Sequence, residues 1–95
     1  MNTVTASIAL PAVLLQAQAQ SVANGLVTSL TAQLTRGGEA VLDASALTQF
    51  DSSALAVILA CHRAVLAKGA QLRVTGLPER AQTLAKVYGL SALLH

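Results

Sequence analysis

Apolar and polar residues alternate at the start of the chain, with Val4, Ala6, Ile8 and Leu10 set between Thr3, Thr5, Ser7 and Ala9. A period of two predicts a half-buried strand over about 3–10. It could reach Leu15 only past Pro11, a residue confined to edges and bulges. From Ser21 the spacing changes to three and four, through Val22, Ala23, Leu26, Val27, Leu30 and Leu34. That predicts a helix of about 21–35 with Thr28, Ser29, Thr31 and Gln33 on its wet side. Arg36, Gly37 and Gly38 would end it, a cation followed by glycines. Glu39–Asp43 (EAVLD) reads as a strand and Ala44–Phe50 as its exit loop. A second helix, opened by Asp51 or Ser52, runs over about 52–68 and closes at Gly69. Gln71–Thr75 (QLRVT) is the next strand, and Gly76, Leu77 and Pro78 form a turn. Pro78 and Glu79 favour the start of a third helix, about 79–88, which breaks at Gly89. Leu90–Leu94 would add one further helical turn. Strands alternating with helices predict a single-domain α/β sandwich over 1–95, with a short mixed sheet whose parallel neighbours are joined by crossovers.

The second helix is the most informative element. In residues 54–67, twelve of fourteen positions are apolar, and only His62 and Arg63 interrupt. At 3.6 residues per turn, Ala54, Val57, Ile58, Cys61 and Val65 share one face, assigned to the sheet. Ala56, Leu59, Ala60, Arg63 and Ala67 lie opposite. A helix apolar on both sides should be buried on both sides, yet a small sheet covers one. The outer face is therefore a candidate docking surface, with Leu59 and Arg63 as anchors; a few exposed alanines would also be harmless. Leu59→Asp should then abolish partner binding and leave the fold intact.

Asp51, Ser52 and Ser53 stand at the mouth of this helix. Helices leave their first four N–H groups unpaired, and Asp or Ser side chains cap them at a gain of about 1 kcal/mol. A strand-to-helix loop in a parallel sheet is also where such folds build sites. A phosphate on the second serine would gain about 0.3–1 kcal/mol from the helix dipole. A plain cap and a docking or switch site both fit these residues.

Composition narrows the function classes. Charged residues are 11%, against about 25% in ordinary soluble domains, and the mean hydropathy is +0.60. So few charges suggest that a partner covers part of the surface. The net charge is +2, but Arg36, Arg63, Lys68, Arg73, Arg80 and Lys86 are scattered and almost no aromatics lie between them, unlike a nucleic-acid footprint. Cys61 is the only cysteine, which suits a reducing compartment. No Lys or Arg precedes Arg36, so the charged start of a signal peptide is missing. No apolar run approaches the roughly 18 residues of a membrane span. These point to a cytosolic chain without a leader.

Residues 41–94 resemble the STAS domain. An acid ends a strand, a D-S/T-x-x-L element (Asp51, Ser52, Leu55) opens a helix, and a final helix ends in Gly89-Leu90. The first forty residues match in pattern and look one strand short. The resemblance implies a non-enzymatic interaction module and two branches. In the cytoplasmic STAS subunit of the Mla phospholipid-transport ABC system, a hydroxyl residue directly after the acid contacts the ATPase subunit, and Ser52 matches it. In anti-anti-sigma factors the second serine of D-S-S-G is phosphorylated by an anti-sigma kinase, and Ser53 matches that position, with Ala54 in place of the glycine. Leu84-Ala85-Lys86-Val87-Tyr88-Gly89-Leu90 looks closer to the Mla branch. The favoured expectation is a cytoplasmic accessory subunit, peripheral on an inner-membrane complex through its ATPase partner, without direct membrane insertion or nucleic acid. Its partner-binding residues would be Asp51, Ser52, Ser53, Ala56, Leu59, Ala60 and Arg63. The alternative is a switch phosphorylated at Ser53.

Other chemistry is unsupported. His62 and His95 lie 33 residues apart and Cys61 is on the sheet face, so neither a metal nor a cofactor is expected. Ser52, His62 and Asp43 form a catalytic set only on paper, since no G-x-S-x-G element sets the geometry. Asp43 is read as holding the loop that follows it, and Tyr88 as packing at a helix end.

Overall fold

The computed structural model describes residues 5–34 and 38–89. The elements in chain order are β1 (Thr5–Ala9), β2 (Val13–Leu14), α1 (Gln16–Gln33), β3 (Glu39–Asp43), β4 (Gln49–Phe50), α2 (Ser53–Ala67), β5 (Gln71–Thr75) and α3 (Glu79–Val87). The α/β organisation expected from the pattern is present. Every strand pair among the described residues is parallel: β1-β3-β5 form one sheet and β2-β4 a short second one. The expected helical turn at 90–94 and the Arg36-Gly37 stop lie outside the described residues.

The sheet grows in one direction, from β1 through β3 to β5. Two right-handed crossovers taken in the same direction put both connecting helices on one face, and α1 and α2 pack against each other as well as on the strands. The inward rows are Ala6-Ala40-Leu72 and Ile8-Leu42-Val74. Under them lie Leu26 and Leu30 from α1 and Val57, Ile58, Cys61 and Val65 from α2. The alternate positions stay half-buried or exposed, among them Ser7, Val41, Arg73 and Thr75. An ion pair of 3.8 Å joins Arg73 and Glu39 across that outer face. Both partners are well exposed, 58% and 41%, so Glu39→Gln should change stability by less than about 1 kcal/mol in a denaturant titration.

Two elements differ from expectation. The helix expected from Ser21 begins at Gln16, and the exit loop 44–50 contains a strand. Thr48 and Gln49 donate their N–H groups to Ala12 O at 2.8 and 3.0 Å, and Thr48 Oγ1 donates to the same oxygen. This β2-β4 clip binds the segment before α1 to the segment before α2. It brings the starts of the two helices side by side at the carboxyl end of the sheet.

Candidate functional site

The three residues Asp51, Ser52 and Ser53 occupy that junction, and each has a different task. Asp51 Oδ1 accepts the Ser53 N–H at 2.8 Å, the ordinary cap of α2. Its Oδ2 accepts the Gln16 N–H at 3.2 Å, from the first turn of α1. One carboxylate therefore caps two helices, and these bonds, led by that from Ser53, hold its pKa below the ordinary value of 3.8. The α1 start has no Ser, Thr, Asp or Asn of its own. Gln18 compensates in part: its Oε1 accepts from Leu15 N–H at 3.1 Å, and its N–H donates to Leu15 O.

Ser52 stands at the N-cap position of α2 with helical backbone angles, and its hydroxyl makes no capping bond. It is exposed, whereas Ser53 is half-buried. Asp43 holds the following loop as expected, accepting the Ser45 N–H at 2.9 Å. Hydrogen bonds from Ser45 lower its pKa too.

The outer face of α2 is less bare than its sequence implies. Ala56 and Ala60 turn toward α1, where with Ala19, Ala23 and Val27 they line a groove of about 270 Å³. Part of this apolar face thus borders a second helix, with Ala60 half-buried beside it. Leu59 and Ala60 are half-buried, while Ala56, Arg63 and Ala67 are exposed. Leu66, which belongs to neither of the two faces expected from the spacing, is 51% exposed. Because Leu59 is half-buried, Leu59→Asp would also burden the fold; Arg63→Glu probes the same face without that complication.

A larger groove, of about 680 Å³, opens on the other side of Ser52. Phe50, Asp51 and Ser52 form one wall, and Glu79, Arg80, Leu84 and Val87 of α3, with Tyr88 just after it, form the other. The Arg80 guanidinium lies 5.2 Å from the centre of the Phe50 ring, a cation–π contact across the gap. This wall is not among the residues expected from the sequence, and Tyr88, expected to pack at a helix end, is 56% exposed. A signal was available: 80, 84, 87 and 88 recur at helical spacing on one face.

Asp51, Ser52 and the helix ends belong to a fold that a family model, described as Mlab, STAS domain, matches over residues 5–95. The chain belongs to this STAS family. The match takes in β1 and α1 as well as the region from residue 41 on which the resemblance rests. No curated protein matches the chain. STAS domains are in general accessory or regulatory domains without catalysis of their own. In this STAS domain Asp43 and Asp51 are both engaged by backbone N–H groups. Cys61 is buried, and desolvation pushes its thiol up to about 11, far from a reactive thiolate. Among the described residues no three His, Cys, Asp or Glu side chains gather as metal ligands, and no helix is long and apolar enough to cross a membrane.

Proposed function

We propose that this STAS domain is a non-enzymatic accessory subunit of an Mla-type ABC phospholipid transporter, binding and supporting the ATPase subunit on the cytoplasmic side of the membrane. The observation that carries the reading is the division of labour between the two serines. The exposed Ser52 hydroxyl, directly after the acid, is free of capping duty and lines the groove. Ser53 is half-buried, with its N–H committed to Asp51. A phosphate on Ser53 would sit beside that carboxylate and meet its repulsion, so the anti-anti-sigma reading asks more of the site than a contact at Ser52 does. The family description points the same way. The subunit would act by differential affinity, stabilising whichever ATPase conformation it binds better.

The test is co-purification of the tagged chain from its own cells in mild detergent, with partners identified by mass. An ABC ATPase and a membrane permease at fixed stoichiometry are expected. A soluble kinase-like partner would instead favour the switch. In the same assay Ser52→Arg should weaken the complex by about tenfold or more, and Ser53→Ala should leave it within about twofold. The reverse ranking would overturn the assignment of Ser52.

A further inference from the structure

The three helices are anchored very unequally. Among the described residues α1 packs along α2, β1 and β2, and α2 lies on β5, whereas α3 makes no extended contact with any other element. The main hydrophobic core contains no residue of α3. Three buried residues lie outside that core: Leu55 in the first turn of α2, and Ala81 and Ala85 of α3. An alanine has one methyl group to bury, so this seat is shallow. The larger apolar residues at the end of the helix, Val87 and Tyr88, are exposed.

Polar ties are as few. Among the described residues no hydrogen bond or ion pair joins α3 to another element. Gln82 uses its side-chain amide locally, donating to Leu77 O at 2.9 Å. The one specific link is the Arg80 guanidinium, 5.2 Å from the centre of the Phe50 ring. Phe50 packs against the main core, so this contact clasps α3 to the body of the domain. The approach to the helix is firm by comparison. Leu77 also packs against the core, and Gly76 lies so close to Ser45 that an added Cβ would stand 2.8 Å from its Cβ. The weak part therefore begins at Pro78.

Length decides what happens when α3 leaves its seat. It has 9 residues, against 18 in α1 and 15 in α2. An isolated helix shorter than about 12–15 residues is marginal in water. Docking and helix formation are then one event.

We infer that α3 is a separately opening unit, which undocks and unwinds from Pro78 onward while β1-β3-β5, α1 and α2 stay folded, with the Arg80–Phe50 contact as its clasp. The inference concerns the fold alone and does not depend on the transporter reading. Its consequence is that the α3 wall of the groove beside Ser52 is a movable one, closed when the clasp holds and open when it does not.

The test is native-state hydrogen exchange of the full chain, read amide by amide by NMR at a series of urea concentrations too low to unfold the domain. The amides of residues 82–88 should exchange as one group, about 100-fold or more faster than those of α2 and β3. Their urea dependence should be much shallower than that of global unfolding. Arg80→Gln removes the charge from the Phe50 ring; it should speed this group by about two- to fivefold and leave α1, α2 and β3 unchanged. Thr83→Ala, at an exposed position, should slow the group by about two- to threefold, because a better helix former favours the closed form only if the open form is unwound. Exchange of α3 in step with α2, with the urea dependence of global unfolding, would overturn the inference. So would an Arg80→Gln variant in which α3 exchanges as in wild type, or one in which all elements speed up alike. A Thr83→Ala variant with unchanged exchange would show α3 swinging out as an intact helix, and would overturn the coupling of docking to helix formation.

Discussion

Gly76→Val is expected to destabilise the fold by about 2–5 kcal/mol, a large share of the roughly 5–15 kcal/mol that holds a domain together. Two effects add. Gly76 has φ +67, a left-handed conformation that disfavours a side chain by about 1–2 kcal/mol, more when it is β-branched. A Cβ there would also lie 2.8 Å from Ser45 Cβ and 3.1 Å from Ser45 Cα and N. Those atoms have little room to yield. The Ser45 N–H is bound to Asp43 Oδ1, and the neighbouring Ala44 N–H donates to Thr75 O at 2.7 Å. Overpacking against such neighbours contributes about 1–3 kcal/mol. A thermal melt should show Tm lowered by about 10 °C or more. Since Ser45 begins the loop that leads to Phe50 and Ser52, partner binding should weaken with it. Gly25→Ala is the contrasting substitution: it stands mid-α1 with nothing within 4 Å of the added Cβ, and it should raise stability by up to about 1 kcal/mol. An unchanged Tm for Gly76→Val would mean that the turn before α3 does not pack on the loop after β3.

Asp51→Ala should loosen two helices with one substitution. Removing the carboxylate leaves the Ser53 and Gln16 N–H groups without their acceptor. Hydrogen exchange should accelerate in the first turns of both α1 and α2, while the amides of β3 keep their protection. Asn can still offer one carbonyl oxygen, so Asp51→Asn should protect one of the two starts and lie between alanine and wild type. The acid dependence has a definite sign. The folded pKa of Asp51 is lowered, so its contribution is fully present above the unfolded value, near 3.8, and is lost as pH falls through the folded value. Melting temperatures taken downward from pH 5 should therefore fall more steeply for wild type than for Asp51→Ala. Asp43 titrates in the same sense and leaves a residual slope in the variant. Faster exchange confined to α2 would remove Asp51 from the start of α1.

Much of the fold is legible in the sequence because its causes are local. EAVLD, a short apolar run between two acids, and QLRVT, which alternates with a period of two, become β3 and β5 with alternating burial. The long apolar stretch after Ser53 has helical spacing, and Gly69 ends it where the pattern stops. The D-S element is legible too, since a cap acts on the backbone within three residues of itself. The start of α1 was not. Gln16-Ala17-Gln18-Ala19-Gln20 has neither an apolar period nor a capping residue, so the spacing announces a helix only from Ser21. Its cap comes from Asp51, 35 residues away, through the β2-β4 clip. For the same reason the second task of Asp51 is invisible along the chain. The apolar outer side of α2 reads as a surface awaiting a partner, yet its Ala56 and Ala60 edge borders a groove against α1.

The sequence by itself determined the order of β1, β3, β5 and the three helices and the placing of an acid and a hydroxyl at the mouth of α2. Periodicity and capping operate over a few residues, so the chain carries them wherever it lies. Only the tertiary structure decided that Asp51 serves two helices, that Ser52 rather than Ser53 faces the groove, and that Arg80 stacks on Phe50. Those relations join residues about 30 apart along the chain, and no local pattern records which distant segments the packing of α1, α2 and the sheet brings together.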